Sequence, residues 1–170
     1  MKKGFLESSK LIHKELCEKR GVRPFDSYVI DDGWQDNLLP NFDKDGEVWV
    51  TNDKFSKDFK ESHRVLNKLG SGVGLWISPA SCFRAVPQVE VLRQKGLEAL
   101  SICMSMTGEK YMSKLEERVL KLTKQGVNYF KFDGSFGHLI IRDFELNGRG
   151  TPSMPQLPTK GFAPDDERLT

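Results

Sequence analysis

Six side chains carry most of the chemistry this sequence offers: Asp31 and Asp32 in "VIDDGWQ", Trp34 just after them, Trp76 in "GLWISP", and Lys131 and Asp133 in "VNYFKFDG". Side chains alternate along a strand, so Lys131 and Asp133 share a face with Tyr129, while Phe130 and Phe132 share the other and can pack under helices. Burying either charge alone is costly, but the two are tolerated when paired with each other or with a polar ligand. Two carboxylates beside an indole suit a ligand with one apolar C–H face and a rim of hydroxyls, such as a sugar ring. Each group also has a plainer reading. Lys131 and Asp133 can form an internal ion pair between strands, and Asp-Asp-Gly is good turn chemistry. Trp76 is either a second wall of a pocket or a core residue.

These residues need elements that bring strand ends together, and helix and strand signals alternate along the chain as in a parallel α/β architecture. A first helix is expected over Ser9 to Arg20, with Leu11, Ile12 and Leu16 on one side and Gly21 at its end. "SYVIDD" reads as a strand. The turn-rich stretch Gly33 to Asp53 is longer than most connections and is expected to be a loop over the site. Phe55, Phe59, Leu66 and Leu69 stand at helical spacing before Gly70, and "VGLWISP" is the next strand, ended by Pro79. A short helix over Gln88 to Lys95, a strand near Ala99 to Met104, a helix over Glu109 to Gln125 and a last strand, "VNYFKFD", complete the series. The inferred strand ends near residues 31, 77, 104 and 132 give about four βα units, where a closed eight-stranded barrel takes about 250 residues. Residues 1–147 are thus expected to form part of a (β/α) barrel or a small open sheet. Residues 148–170, "RGTPSMPQLPTKGFAPDDERLT" after Gly148, read as a proline- and glycine-rich tail or linker.

Composition narrows the partners. The 170 residues suffice for one core, and Lys+Arg 26 against Asp+Glu 24 gives a net charge of +2, with the basic residues scattered and not gathered into a patch for nucleic acid. No apolar segment approaches the roughly 20 residues of a membrane span, and a soluble, cytoplasmic chain is expected. Cys17, Cys82 and Cys103 show neither disulfide nor zinc spacing. His13, His63 and His138 share no motif, and "GSGVG" precedes a strand instead of linking a strand to a helix as a phosphate loop does. Asp31, Asp32 and Asp133 could bind Mg²⁺ as oxygen ligands, although Lys131 and Trp34 beside them favour a sugar. No metal or cofactor is expected.

Taken together and in this order, "VIDDGWQ", "GLWISP" and "VNYFKFDG" resemble the catalytic barrel of α-galactosidases of glycoside hydrolase clan D, of the family 36 and 27 type, including raffinose-synthase-like members; the resemblance runs from about Phe25 to Gly134. It implies a partial (β/α)8 barrel and a retaining glycosidase for terminal α-galactosides. By the same resemblance Asp133 is the nucleophile that forms the glycosyl-enzyme, Lys131, Asp31 and Asp32 bind sugar hydroxyls, and Trp34 and Trp76 shape the pocket.

The family carries its acid/base carboxyl after a later strand, and Asp143 and Glu145 fill that role only if the chain folds back. An N-terminal piece of the barrel, inactive by itself, is therefore expected, since retention needs two carboxyls ~5 to 5.5 Å apart. A galactosyl transglycosidase and an inactive sugar-binding or vestigial half-barrel are the alternatives. An open barrel edge would also invite self-association.

Overall fold

A computed structural model describes residues 2–35, 47–80, 86–99, 103–106 and 108–133. The expected tail, 148–170, and with it His138, Asp143 and Glu145, lie outside the described residues, as does Cys82.

Helix α1 (Lys2–His13) widens into a π turn (Lys14–Glu18), and Gly21 ends it, its N–H bonding Cys17 O at 3.1 Å. It starts seven residues before the expected Ser9. Its buried side is Leu6 and Ser9, whereas Leu11 and Ile12 are exposed. β1 (Ser27–Ile30) follows, then α2 (Lys60–Asn67), β2 (Gly72–Ile77), α3 (Val86–Gln94), α4 (Glu109–Lys124) and β3 (Val127–Phe132). α1 packs against α2. Phe55 and Phe59 precede α2 and do not extend it: Phe59 sits at φ 53, outside helical conformation, and its ring is fully buried. Of the four spaced residues Phe55, Phe59 and Leu66 are buried and Leu69 is half-buried; Leu66 lies in α2, whereas Phe55 and Phe59 precede it and Leu69 follows it.

The strands form one parallel sheet in the order β1-β2-β3, so the fold is α/β in class. β1 pairs with β2 from Ser27↔Gly72 to Ile30↔Leu75. One face of the sheet is core: Tyr28 and Ile30 of β1 and Val73, Leu75 and Ile77 of β2 are buried. The other face is floored by Gly72 and Gly74 and carries Tyr129, which is exposed. Phe132, expected to pack beneath helices, is 54% exposed at the end of β3, an outer strand among the described residues.

The strand expected near 99–104 is not among the described strands. In the sheet β3 adjoins β2 directly. Residues 100–102 of the expected strand lie outside the described residues; Ala99 and Met104 make one antiparallel bridge, and Ser105 N–H bonds Glu98 O at 2.9 Å. Just beyond, the Glu98 carboxylate accepts the backbone N–H of Tyr111 at 3.0 Å and of Lys110 at 3.3 Å, and so caps the start of α4.

The chain divides into two compact units. The first takes the described residues within 1–36, 51–76 and 119–131; the second takes those within 37–50, 77–118 and 132–170. Among the described residues no helix is long and apolar enough to cross a membrane.

Candidate functional site

In the first unit, β1 ends at Ile30 and delivers Asp31 and Asp32 to the carboxyl end of the sheet. Asp31 is engaged at both oxygens. Its Oδ1 accepts the N–H of Asp32 at 2.8 Å, and its Oδ2 accepts Lys131 Nζ, also at 2.8 Å. The lysine therefore reaches from one outer strand of the sheet to the other. That hydrogen bond holds the Asp31 carboxyl below its ordinary range; partial burial opposes it, and the Asp32 N–H and the lysine charge reinforce it. Both partners are well exposed, with side-chain accessibilities of 46% for Lys131 and 62% for Asp31. As a bare ion pair the contact is therefore worth at most about 1 kcal/mol.

The next four residues make a tightly held turn. Gly33 adopts φ 109, a conformation that L side chains rarely adopt. Gln35 is buried, and its amide works in both directions: Nε2 donates to Asp32 Oδ1 at 2.6 Å, and Oε1 accepts Gly33 N–H at 3.1 Å. From the far end of the long connection comes Asn52. Its Nδ2 donates to Gly33 O at 2.8 Å and Gln35 O at 3.2 Å, while its backbone N–H donates to Trp34 O at 2.9 Å. An antiparallel bridge between Gln35 and Thr51 closes the base of the connection. Asp32 is half-buried, and its Oδ2 has no hydrogen-bond partner among the described residues.

Trp34 differs from the open plate expected at a pocket mouth. It is fully buried, its Nε1–H donates to Trp76 O at 2.7 Å, and its ring meets Phe59 edge-on at 5.7 Å. The indole thus ties the turn to β2 from below. Trp76 is buried as well, at 3% exposure. Of the two readings open for Trp76, this burial favours the core, because the turn at 33–35 needs an apolar anchor on the sheet it leaves.

The second unit holds Asp133. Its backbone N–H donates to Ile77 O at 2.9 Å, so the β2–β3 pairing continues to the residue itself, and it is half-buried. In the same unit Tyr111 Oη donates to Pro79 O at 2.5 Å, and Met104 N–H donates to Ala80 O at 2.7 Å. Arg118, 4% exposed, donates Nε–H to Trp49 O at 2.9 Å, with Glu47 at 3.8 Å. Among the described residues no three His, Cys, Asp or Glu side chains gather as a metal site would require.

The structure thus brings Asp31, Asp32, Trp34, Trp76 and Lys131 together in one unit. Two further residues, Gln35 and Asn52, belong with them. Gln35 stood inside "VIDDGWQ" and Asn52 inside "VWVTND", but a neutral amide gives no signal of its own in a sequence. Their partners lie in the turn, and only the folded connection pairs them. No family model, curated protein or solved structure matches the chain.

Proposed function

We propose that this chain is part of a (β/α)8 barrel of the α-galactosidase type, a retaining glycoside hydrolase for terminal α-galactosides. The observation that carries this reading is the Lys131–Asp31 pair at the carboxyl end of a parallel sheet, where α/β folds gather their chemistry. An exposed pair in that position adds little stability, yet it offers an ammonium donor and carboxylate acceptors side by side, as a polyhydroxylated ring requires.

In this reading Asp31, Asp32 and Lys131 bind sugar hydroxyls. The Asp133 carboxylate attacks the anomeric carbon as the bond to the leaving oxygen breaks, forming a glycosyl ester; a carboxylic acid gives its proton to that oxygen. Water then attacks the same carbon, the acid's conjugate base takes the water's proton, and Asp133 leaves as the carboxylate. Configuration is retained. The acid/base carboxyl is assigned to none of the described residues. Trp34 and Trp76 shape the site from beneath by anchoring the turn.

The test is D-galactose binding and p-nitrophenyl α-galactoside hydrolysis by the 170-residue chain, beside Asp133→Asn and Asp31→Asn. Saturable galactose binding, kept in Asp133→Asn and lost in Asp31→Asn, is expected, and any turnover should vanish in Asp133→Asn. Binding without turnover in every form points to a sugar-binding module. Absence of saturable binding by folded wild-type protein overturns the reading.

A further inference from the structure

We infer that Gln35 and Asn52 are positioning residues which fix the Asp32 carboxylate so that its Oδ2 is presented, already oriented, to a hydroxyl of the substrate. The inference rests on the glycoside reading for the identity of that hydroxyl, and on the geometry of the turn for everything else.

A turn between a strand and a loop needs only its backbone groups satisfied. Asn52 meets three of them, its backbone N–H taking the Trp34 carbonyl and its Nδ2 those of Gly33 and Gln35, while the Gly33 N–H goes to Gln35 Oε1. Gln35 goes further. Its amide, 3% exposed, bonds a side-chain oxygen of Asp32 at 2.6 Å, which fixes the rotamer of a residue whose backbone is already held.

The direction of the amide follows from its two neighbours. Turned over, it would set its carbonyl against a carboxylate and its NH₂ against the Gly33 N–H, so only one orientation satisfies both. Asp32 is then clamped through Oδ1, with Oδ2 left as an acceptor without a partner among the described residues. Asp31, one residue earlier, is used differently, since both its oxygens are engaged. Of the two adjacent aspartates, the clamped one is the pre-aimed acceptor. Orientation achieved before binding removes the rotamer entropy that a free aspartate would lose on contact, an effect on the order of tenfold in affinity.

The experiment is NMR on the full chain, in two parts. The first follows the Gln35 side-chain NH₂ signals in a pH titration: they should shift as the Asp32 carboxyl titrates and stay still in Asp32→Asn. Signals that ignore the Asp32 titration overturn the clamp, whatever the substrate. The second titrates D-galactose into wild type, Gln35→Met and Gln35→Glu, each first shown to give a dispersed folded spectrum. Gln35→Met should bind about tenfold more weakly.

Gln35→Glu sets two carboxylates together that can share one proton. Its binding should be weak at neutral pH and return on mild acidification, a profile that a merely structural role would not produce. Equal affinity in all three forms overturns the positioning role. A folded wild type that ignores galactose overturns the glycoside reading and removes the hydroxyl as the target of Asp32, while the clamp is still judged by the first titration.

Discussion

Two side-chain bridges span the three-stranded sheet from one outer strand to the other, one at each end, and they are built from opposite materials. At the amino ends, Asn128 of β3 donates Nδ2 to Asp26 O at 3.2 Å and accepts Ser27 Oγ–H at Oδ1 at 2.7 Å. At the carboxyl ends, Lys131 of the same strand meets Asp31 at 2.8 Å. The first bridge is neutral and uses both ends of its amide. The second is charged, and the neighbouring Asp32 has a carboxylate oxygen, Oδ2, without a partner among the described residues. A bridge with no such neighbour holds strands together; one that stands beside an unpartnered carboxylate oxygen can also meet a ligand. The difference separates an end of the sheet that serves stability from an end that can serve chemistry, the same division found in parallel barrels.

The largest effect that could break this comparison comes from Gly72. A Cβ there would stand 2.2 to 2.5 Å from the Asn128 amide atoms, closer than any contact can be. Gly72→Ala must therefore push the Asn128 amide aside and open both of its hydrogen bonds. We expect a loss of about 2 to 3 kcal/mol, read as a shift of the urea midpoint at unchanged slope. Adding Asn128→Ala should restore part of the loss, because the clash goes with the amide and the two changes act on one contact. A Gly72→Ala protein as stable as wild type would mean that the amino-end bridge contributes little and that the two ends are alike.

The same contrast shows how far the sequence could be read. Glu109–Lys124 and Val127–Phe132 were legible because apolar spacing and a following glycine or turn mark such elements locally. The end of β1 at the acidic pair was legible for the same reason. The antiparallel bridge between Ala99 and Met104 was not, because a short apolar run carries no mark of the partner it will pair with.

In the candidate site, the residue types at the strand ends were visible but their partners were not. Lys131 stands two residues from Asp133 in the chain and was read beside it, yet its hydrogen bond to Asp31 spans 100 positions. Asn128 gave no signal at all, since its role exists only because Gly72 leaves room above β2. Trp34 looked like a surface plate because carboxylates precede it, and packing on Phe59 made it an anchor.

A smaller effect sharpens the comparison from the other end. Lys131→Met keeps the length of the side chain and removes the charge. If the carboxyl-end bridge exists for chemistry, the variant should lose no more than about 1 kcal/mol of stability, as for other exposed pairs. A loss well above that, measured by the same urea unfolding, would make the Lys131–Asp31 pair structural and remove the distinction between the ends.

The smallest effect is the response of each bridge to acid, and it can be watched at both ends in one sample. Lys131 lowers the Asp31 carboxyl below its ordinary value, so folding gains from this group at every pH above the unfolded carboxylate value, near 4. The gain shrinks as pH falls from that value through the lowered folded one, and is gone below it. The sign is that of a group binding more protons unfolded than folded. The amino-end bridge should not follow, because its groups are an amide, a hydroxyl and a backbone carbonyl, none of which titrates there. The Asp26 side chain beside it does, and is paired with Arg23, but the bridge uses only the Asp26 backbone. Carboxyl-carbon shifts of Asp31 should therefore move together with the Lys131 ammonium signal as acid is added, while the Asn128 side-chain amide stays where it was. If the Asn128 signals move in step with Asp31, the two bridges form one coupled unit, and the division between a structural end and a chemical end does not hold.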